Sequence, residues 1–432
     1  LRLLLHVKQV DLSQLPPQTV LVVNDLTPSM TVGLNAQNVV AIVTQSGGRT
    51  SHSAILARTL GIPAVLGIVD LMSKVHEGDQ VLVNGGTGEV ILSPSPAQTE
   101  AYRIQRAEIL KEQQILAQYR DRPTVDADGR RYALYANIGS PEQASQARSG
   151  GAEGIGLFRT EFLFMERATA PDENEQYRAY QAVSDAMSDR EILIRTLDIG
   201  GDKNIPYLAM EREENPFLGY RAIRYCLDRP DFFSVQLRAL LRAGAKNRNI
   251  RIMLPLVTGV EEVRATRQLV EKCKEELEKR GELFDPSIQI GVMIETPAAV
   301  QIADLLAREA DFFSIGTNDL TQYTLAVDRG NAKVENMYRL FHPAVLRAIR
   351  QVVNAAKQAH IPVGMCGEAA ADPRLIPLLM AWGLDEFSVS TPSILAVRHR
   401  ISQWSQEHAV RLAEKVMNLS SIQEIETELE KE

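Results

Sequence analysis

The sequence predicts an α/β protein in which a small α/β domain precedes a (β/α)8 barrel of the TIM type, with a long helix between them. Three observations support this fold class. The chain has 432 residues, which is too long for one ordinary compact core. From Arg131 onward, β-branched and apolar runs alternate with helical patterns, as in a barrel of eight units. Between Thr99 and Arg120, the residues favour a helix and include neither proline nor glycine.

The small domain is predicted over residues 1–96. Short β-branched or apolar runs that end in turn residues predict strands at Val20–Asn24, Val39–Thr44, Val81–Asn84 and Glu89–Leu92. The glycine-rich turn at 85–88 makes the last two strands a hairpin. An amphipathic run at Ser53–Leu60 predicts a helix, which Gly61 and the following Ile-Pro pair end.

Residues 97–130 are predicted as a helical linker and residues 131–432 as the barrel. The predicted barrel strands are Arg131–Asn137, Gly154–Phe158, Glu191–Arg195, Ile250–Leu254, Ile288–Ile294, Phe312–Ile315, Ile361–Met365 and Glu386–Val389. Helical patterns follow them, for example at Pro141–Ser149, Val260–Arg280, Pro297–Arg308, Val345–Ala359 and Arg374–Trp382. A doubly wound open sheet is the alternative, but regular units in this number fit a closed barrel better.

The composition argues against a general binder of nucleic acid or anionic membranes, because 55 acidic residues outweigh 47 basic ones and the net charge is −8. No apolar run reaches the length of a membrane span, and no signal peptide is visible. Cys226, Cys273 and Cys366 are too few and too scattered for a disulfide framework or a zinc site. These features are typical of a cytoplasmic protein. The chain begins at Leu1 without an initiator methionine, so we expect a fragment.

The segment 47–52, Gly-Gly-Arg-Thr-Ser-His, is the first candidate for chemistry. Its two glycines allow a sharp turn and a close approach to a ligand, and Ser51 can cap the helix that follows. His52 then lies near a helix N-terminus, where free N–H groups and the helix dipole favour an anion. A histidine in that place can accept a phosphoryl group. The alternative is a histidine that only helps to cap the helix.

A second group of candidates lies where the predicted barrel strands end, which is where such barrels carry their active sites. The polar residues at these positions are Arg159, Arg195, Glu295, Asn318, Asp319 and Cys366. Arg329 follows the sixth predicted strand, and Arg221 and Lys203 are further candidate anion contacts. A single arginine of this kind is usually a solvated surface side chain, but so many polar groups at one mouth favour a site.

The residue types at the mouth indicate an anionic substrate and a divalent cation. Arg159 and Arg195 carry planar donor forks that suit a phosphate or a carboxylate. Glu295 and Asp319 offer the hard oxygen ligands that Mg²⁺ prefers when it also binds a substrate phosphate. The alternative for Glu295 is a carboxylate that stabilises a helix N-terminus. Asn318, beside the proposed metal, is a neutral donor that can orient a substrate.

The cysteines and the remaining histidines are weighed separately. A buried cysteine is usually inert packing, but Cys366 at the barrel mouth can instead be a weak acid held over one face of a substrate. Cys226 and Cys273 fall within helical patterns and are predicted to be structural. His342 lies near the same face of the barrel and is also predicted to be structural.

Four segments resemble a known family. Residues 47–55 are similar to the phosphohistidine motif of enzymes that use phosphoenolpyruvate. The segments 156–162, 195–203 and 314–323 narrow the resemblance to enzyme I of the bacterial sugar phosphotransferase system, the phosphoenolpyruvate–protein phosphotransferases. The resemblance runs from about Leu15 to beyond Pro392.

This resemblance implies a function for each candidate. Residues 1–96 would form a phosphohistidine swivel domain with an incomplete N-terminus, and the histidine matching His52 would take the phosphoryl group of phosphoenolpyruvate on Nε2. The cysteine matching Cys366 would protonate the resulting enolate to give pyruvate. Mg²⁺ and the substrate would be held by residues that match Glu295 and Asp319 for the metal, and Arg159, Arg195, Arg329, Asn318 and Asp319 for phosphoenolpyruvate. A threonine matching Thr31 would lie beside the histidine.

The resemblance also implies partners. Enzyme I passes its phosphoryl group to a histidine-containing phosphocarrier protein and forms a homodimer through the barrel. Nothing in Leu1–Pro17 matches the helical docking domain or the first strand of enzyme I. We therefore expect self-phosphorylation to be retained and delivery to the carrier to be poor.

Two other functions remain as alternatives. A dikinase-type relative would pass the phosphoryl group to a nucleotide, but the chain has no Walker-type loop and no room for an ATP-grasp domain. The segments 328–331 and 365–368 also look more like enzyme I. A non-catalytic module that senses phosphoenolpyruvate or pyruvate is the other alternative. The full set of candidate groups argues against it.

Overall fold

The computed structural model describes residues 15–25, 38–47, 54, 57, 62–165, 167–200, 205–208, 210–211, 213–331 and 333–432. The chain divides into two compact units, Leu1–Gln114 and Ile115–Glu432. The predicted helix at Ser53–Leu60 lies largely outside the described residues. Within it, the structure describes Ala54 and Ala57. Each unit is built around its own sheet.

The first unit contains a parallel sheet and a hairpin. Its strands are β1 (Thr19–Val23), β2 (Val39–Thr44), β3 (Ala64–Val65), β4 (Val81–Asn84) and β5 (Glu89–Leu92). The first three pair in sequence order, and β4 pairs with β5 in the antiparallel register of the predicted hairpin. Leu21, Val39, Ile42 and Ala57 form its small buried core. The two-residue strand β3 is too short for a pattern of alternating residues to predict it.

Helix α1 (Pro96–Ala117) begins and ends three residues before the predicted bounds. Its start is set by a reciprocal cap, in which Gln98 N donates to Ser95 Oγ at 3.3 Å and Ser95 N donates to Gln98 Oε1 at 2.9 Å. Proline is favoured in the first turn of a helix, so Pro96 lies inside it. None of the α1 side chains is buried.

The second unit is a closed barrel of parallel strands, as predicted. Its strands are β6 (Ala133–Ile138), β7 (Ile155–Phe158), β8 (Ile192–Arg195), β9 (Ile250–Leu254), β10 (Gln289–Ile294), β11 (Phe313–Ile315), β12 (Val363–Met365) and β13 (Glu386–Ser390). They follow one another in sequence order, and β13 closes the barrel against β6. This closure excludes the open doubly wound sheet.

Helices surround the barrel. They are α2 (Glu142–Ser149), α3 (Glu173–Met187), α4 (Ala222–Asp228), α5 (Pro230–Asn247), α6 (Val260–Lys279), α7 (Pro297–Gln301), α8 (Ala303–Leu306), α9 (Thr317–Leu325), α10 (Pro343–Gln358), α11 (Ile376–Trp382), α12 (Ile394–Ser402), α13 (Gln406–Met417) and α14 (Ile422–Leu429). The single helix predicted at Pro297–Arg308 is wrong. Ile302 leaves helical geometry, with φ −112° and ψ 23°, and separates α7 from α8. A one-residue departure of this kind leaves no mark in the hydrophobic pattern.

Alternate residues along each barrel strand face opposite sides. One set packs outward against the helices in the main core, as Leu134 and Ile252 do. The other set faces the interior of the barrel, where Tyr135, Leu193, Met253, Met293 and Phe312 form a separate cluster with Cys366. Because the side chains of a strand alternate, the polar residues at the strand ends point toward the mouth of the barrel.

A buried arginine fastens the segment after α1 to the barrel. Arg398, on α12, is 1% exposed. Its Nη1 donates to the carbonyls of Tyr119 and Arg120 at 2.9 Å, and Nη2 donates to Gly151 O at 2.6 Å. Its Nε donates to Thr124 Oγ1 at 2.9 Å. All three nitrogens of this guanidinium are therefore hydrogen-bonded.

Among the residues described, no helix is long and apolar enough to span a membrane.

Candidate functional site

Five strand ends bring the predicted residues to one mouth. Arg195 is the last residue of β8, while Arg159, Glu295 and Cys366 directly follow β7, β10 and β12. Asn318 and Asp319 lie in the first turn of α9, which starts two residues after β11 ends. Parallel strands in a closed barrel place these positions around one opening.

The centre of the mouth is a chain of buried arginines and carboxylates. Arg195 pairs with Glu161 and, through Nη1, with Asp198 Oδ2 at 2.8 Å. Arg221 Nη2 lies 2.6 Å from Asp198 Oδ1 and 3.7 Å from Asp319 Oδ2. Burial disfavours the charged form of Arg195, but Asp198 and Glu161 outweigh that effect, so its pKa is raised. Both guanidiniums are therefore permanently cationic.

Some donors of these arginines point at no protein acceptor. Arg195 Nε and Arg221 Nη1 are buried and have no hydrogen-bond partner within the described part of the chain. The buried hydroxyls of Thr196 and Thr317 are in the same state. An unpaired buried donor costs about 1–3 kcal/mol. An anion bound at the mouth would satisfy these groups, so the arrangement fits a phosphate or carboxylate ligand.

Glu295 and Asp319 are the candidate metal ligands. Glu295 Oε1 accepts a hydrogen bond from Leu256 N at 2.7 Å, and Asp319 Oδ1 lies 3.2 Å from Arg329 Nη2. A Cβ at Gly316 would stand 2.8 Å from Glu295 Oε2, so glycine is required there to leave room for the carboxylate. Burial, then repulsion by Asp319 and Asp198, raises the pKa of Glu295 to about 8.

This donor set fits Mg²⁺. The carboxylates repel each other in a buried place, and a divalent cation would relieve that repulsion. No group of three or more His, Cys, Asp and Glu side chains suited to a metal occurs among the residues that the structure describes. The protein would thus supply two carboxylates and leave other coordination positions to substrate oxygens and water, the arrangement that Mg²⁺ prefers.

Asn318 and the two outer arginines lie at the rim. Asn318 Oδ1 accepts a hydrogen bond from Glu368 N at 3.2 Å, which ties α9 to the turn after β12. Arg329 is 40% exposed but reaches Asp319. Arg159 is exposed, and it lies near enough to Cys366 to lower the pKa of that thiol. Exposed arginines of this kind remain free to move toward a ligand.

Cys366 is buried at 3% exposure beneath the mouth. Its N–H donates to Ile315 O at 3.1 Å, and its carbonyl accepts from Asn137 Nδ2 at 3.0 Å. A side chain at Gly367 would collide with the Thr317 hydroxyl, so the turn requires glycine. Burial raises the pKa of Cys366 to about 11, although Ser314, Arg195 and Arg159 oppose this effect. The group is therefore a thiol near neutral pH, which suits a proton donor better than a nucleophile.

The remaining predicted residues divide into two sets. His52, Thr31, Arg49 and Lys203 lie outside the described residues. Cys226 and Cys273 are buried within α4 and α6, in agreement with a structural role. His342 caps α10, accepting a hydrogen bond from Ala344 N through Nδ1 at 3.1 Å, which also agrees with the structural prediction.

Sequence reasoning missed Glu161, Asp198 and Tyr323. The two carboxylates hold Arg195 in place, and the Tyr323 hydroxyl donates to Phe217 O beside Arg221. Burial, above all, raises the pKa of Tyr323 to about 12. All three residues lie inside the segments that carried the family resemblance. Glu161 and Asp198 shortly follow barrel strands and Tyr323 lies on α9. These positions were the sequence feature that could have marked them as residues of the site.

A closed parallel barrel with unpaired arginine donors and two buried carboxylates at its mouth is typical of an enzyme that acts on a phosphorylated substrate. The PEP-binding domain of PEP-utilising enzymes matches residues 113–406, and the mobile domain of the same enzymes matches residues 15–88. The chain belongs to the phosphoenolpyruvate–protein phosphotransferase family of the PEP-utilising enzymes.

The relatives cover nearly the whole chain. The phosphoenolpyruvate-protein phosphotransferase of Bacillus sp. (strain S) is 46% identical over 427 residues, which are 98% of this chain and 74% of the relative. The one from Haemophilus influenzae is 45% identical over 421 residues, 98% of this chain and 73% of the relative. A solution NMR structure of an Enzyme I protein shares 42% identity over 25% of this chain and 44% of its own, with a TM-score of 0.24.

Proposed function

We propose that this phosphotransferase moves the phosphoryl group of phosphoenolpyruvate to Nε2 of His52 and releases pyruvate. The observation that carries the proposal is the set of unpaired buried donors on Arg195 and Arg221 at the barrel mouth. Phosphoryl transfer needs positioning and charge neutralisation more than covalent work by the protein. A neutral imidazole is nucleophilic near pH 7, so histidine suits the role of carrier.

The arginines bind the substrate in this proposal. Arg195 and Arg221 hold their charge in a buried place and direct free N–H groups at the ligand. Arg159 and Arg329 are exposed enough to close on it from the rim, and Asn318 orients it. Fixed donors of this kind stabilise charge on the transferring group without reorganising during the reaction.

Glu295 and Asp319 would hold Mg²⁺. When bound, the cation would neutralise charge on the phosphate and help to orient the substrate. The two carboxylates lie in a buried site, where each repels the negative charge of the other. Binding of a cation would relieve this repulsion.

Cys366 supplies the proton that completes pyruvate. As the phosphoryl group leaves the substrate oxygen, an enolate remains, and its C3 carbon needs a proton. The S–H bond of Cys366 breaks, a C–H bond forms at C3, and a thiolate is left. The raised pKa of the thiol, caused by burial, keeps that proton in place until the enolate is formed.

The acceptor, assembly and location complete the proposal. The relatives are named as protein phosphotransferases, which supports a protein as the next acceptor. We propose the histidine-containing phosphocarrier protein for that role, in sugar uptake or its regulation. A homodimer through the barrel and a cytoplasmic location follow from the family resemblance, and the free thiols of all three cysteines are compatible with that location.

Mass spectrometry after incubation with phosphoenolpyruvate and Mg²⁺ tests the proposal. We expect one acid-labile, base-stable phosphoryl group per chain, mapped to His52, with release of an equal amount of pyruvate. His52→Ala should abolish both signals. His76→Ala is the matched control, because His76 is an exposed histidine of the same unit. Labelling that persists in His52→Ala, or pyruvate without labelling, would contradict the assignment.

A further inference from the structure

One buried side chain on the helical side of the barrel joins two of the turns that carry the site. Gln236 lies on α5 and is 1% exposed. Its Oε1 accepts a hydrogen bond from Leu197 N at 3.0 Å, in the turn after β8. Its Nε2 donates to Thr160 Oγ1 at 3.4 Å, in the turn after β7. A single amide therefore connects the ends of two neighbouring strands.

The turn after β7 is joined to Arg195 by both its backbone and its side chains. Thr160 stands between Arg159 and Glu161, and its hydroxyl donates to Arg195 O at 3.0 Å. Glu161 pairs with the Arg195 guanidinium. A shift of this turn would therefore move the backbone carbonyl of Arg195 and one of its carboxylate partners together.

The turn after β8 supplies the second carboxylate. Thr196 N still donates to a carbonyl of β9 at 3.0 Å, whereas Leu197 N donates to Gln236. A buried N–H that leaves a sheet needs another acceptor, and this side chain provides it. Asp198 follows directly, and its Oδ2 lies 2.8 Å from Arg195 Nη1. The contact with Gln236 thus fixes the residue before Asp198.

The hydrogen bonds around Gln236 define one orientation of its amide. Leu197 N can only donate, so Oε1 faces it and Nε2 faces the two hydroxyls. The Tyr180 hydroxyl accepts from Nε2 at 3.1 Å and donates to Gln176 Oε1 at 3.1 Å. Tyr180 is fully buried on α3, which packs against α5. A buried network whose members are hydrogen-bonded in this way holds its groups rigidly.

We propose that Gln236 is a positioning residue for phosphoryl transfer, which acts through Arg195 by holding the turns after β7 and β8 in place relative to each other. The proposal rests on the proposed function, in which Arg195 binds the transferring group. Arg195 receives Glu161 from one turn and Asp198 from the other. Its Nε, which has no partner among the residues described, is directed at the ligand while both turns keep their places.

Gln236→Met tests this role, because methionine keeps the length of the side chain and removes the amide. Labelling of the full chain by labelled phosphoenolpyruvate with Mg²⁺ is followed in a single turnover at several substrate concentrations. We expect the maximal rate constant to fall by about 10- to 100-fold, since a small misplacement of a catalytic group is enough for such a loss. The half-saturating concentration should rise by less than about threefold, because the other arginines still meet the anion.

Thr160→Val and Thr160→Ser test the other end of the same connection. Valine removes the hydroxyl that reaches Arg195 O, and serine keeps it. Thr160→Val should slow labelling in the same way as Gln236→Met, and Thr160→Ser should restore most of the rate constant. The double variant of Gln236→Met and Thr160→Val should lose less than the product of the two single losses, because both changes loosen one connection.

Two controls separate positioning from packing. Tyr180→Phe removes one hydrogen bond from Gln236 but leaves both turns attached, so it should lower the melting temperature and keep the rate constant. Gln406→Met is the matched control at the other end of the barrel. Gln406 accepts from the Tyr132 hydroxyl at 3.4 Å and donates to Met380 O at 3.3 Å, and Tyr132 directly precedes β6. It should also keep the rate constant.

The outcomes are distinct. An unchanged rate constant in folded Gln236→Met overturns the positioning role and leaves the proposed function standing. An equal loss in Tyr180→Phe or Gln406→Met overturns it too, since the loss would then report packing. Absence of labelling in the unsubstituted chain overturns the proposed function, and the positioning role falls with it. If Gln236→Met does not fold, the comparison of Thr160→Val with Thr160→Ser decides the question, and equal rate constants there overturn the role.

Discussion

At the barrel mouth, Arg195 and Arg221 each keep one buried nitrogen without a hydrogen-bond partner among the residues described, whereas Arg398 on α12 has partners for all three. All three side chains are buried, so burial alone does not distinguish them. Arg398 meets mainly backbone carbonyls, which are neutral and fixed. Arg195 and Arg221 meet carboxylates, which hold the charge but leave donors free.

The difference teaches how the same side chain serves two purposes. In an arginine that only stabilises the fold, every N–H donor is hydrogen-bonded to another group of the protein. An arginine that binds a ligand is positioned by a few strong partners and keeps the rest unpaired, at a cost in stability. The number of unpaired buried donors is therefore a better indicator of a ligand site here than charge or burial.

The largest expected effect is at the mouth. Arg195→Lys should lower kcat/KM for phosphoenolpyruvate by about 100- to 1,000-fold, because a point charge cannot replace a fork that pairs with two carboxylates and a ligand. Lysine keeps the positive charge beside Glu161 and Asp198, so the protein should still fold, with a lower melting temperature because hydrogen bonds to these buried carboxylates are lost. Arg238→Lys is the control, since Arg238 pairs with Glu173 and Glu276 on helices away from the mouth. Near-normal turnover in Arg195→Lys would contradict the view that the arginines at the mouth bind a ligand whereas Arg398 only stabilises the fold.

The second prediction concerns the fully bonded arginine. Arg398→Met should lower the free energy of unfolding by roughly 3 kcal/mol, because three carbonyls and a hydroxyl lose their donor in a buried place. Urea unfolding measures the loss. The affinity of the folded protein for phosphoenolpyruvate should be unchanged. A larger effect on affinity than on stability would contradict a purely structural role.

The third prediction uses Glu386 at the start of β13, whose Oε1 is buried and has no hydrogen-bond partner among the residues described. Its pKa is raised by burial, so the folded state holds the proton more tightly than the unfolded chain does. The stability from this group is complete below the ordinary pKa of 4.5 and is lost as the pH rises toward about 8. In Glu386→Gln, the decrease in the free energy of unfolding across that pH range should be smaller by at least about 1 kcal/mol than in the unsubstituted protein. Parallel curves for the two proteins would show that the carboxyl does not titrate as described.

The smallest expected effects compare two helix caps. Ser95 caps α1, which buries no side chain, and Ser421 caps α14, which buries Ile425 and Leu429. A lost cap costs about 0.5–2 kcal/mol. Ser95→Ala should speed amide hydrogen exchange throughout the first turns of α1, while Ser421→Ala should change exchange in α14 much less, because packing holds that helix. Equal effects would mean that the contact between α1 and β5, in which the Tyr102 hydroxyl donates to Glu89 Oε2 at 2.6 Å, holds the helix as firmly as packing holds α14.

Much of this architecture could be predicted from the sequence. The barrel strands were found because each is an apolar run with a helical pattern after it, and the mouth residues because they follow those runs. Asp198 and Glu161 were missed because a sequence does not show which carboxylate an arginine will meet. The pairing of Gly364 with Ser314 on β11 and with Glu386 on β13 could not be predicted, because strand register in a closed barrel is recorded by no local pattern. The break at Ile302 was missed because it changes one residue's backbone angles only.

Helix α1 buries no side chain along its whole length, and this gives it an unusual temperature dependence. A packed helix melts with the domain that holds it, whereas a solvated one follows its own helix–coil equilibrium, which is gradual and weakens steadily on heating. Fraying would begin at its ends well below the melting temperature of the barrel. The bending stiffness of this segment is then a thermodynamic variable that cooling, helix-promoting solvents or alanine substitutions can change without altering the barrel.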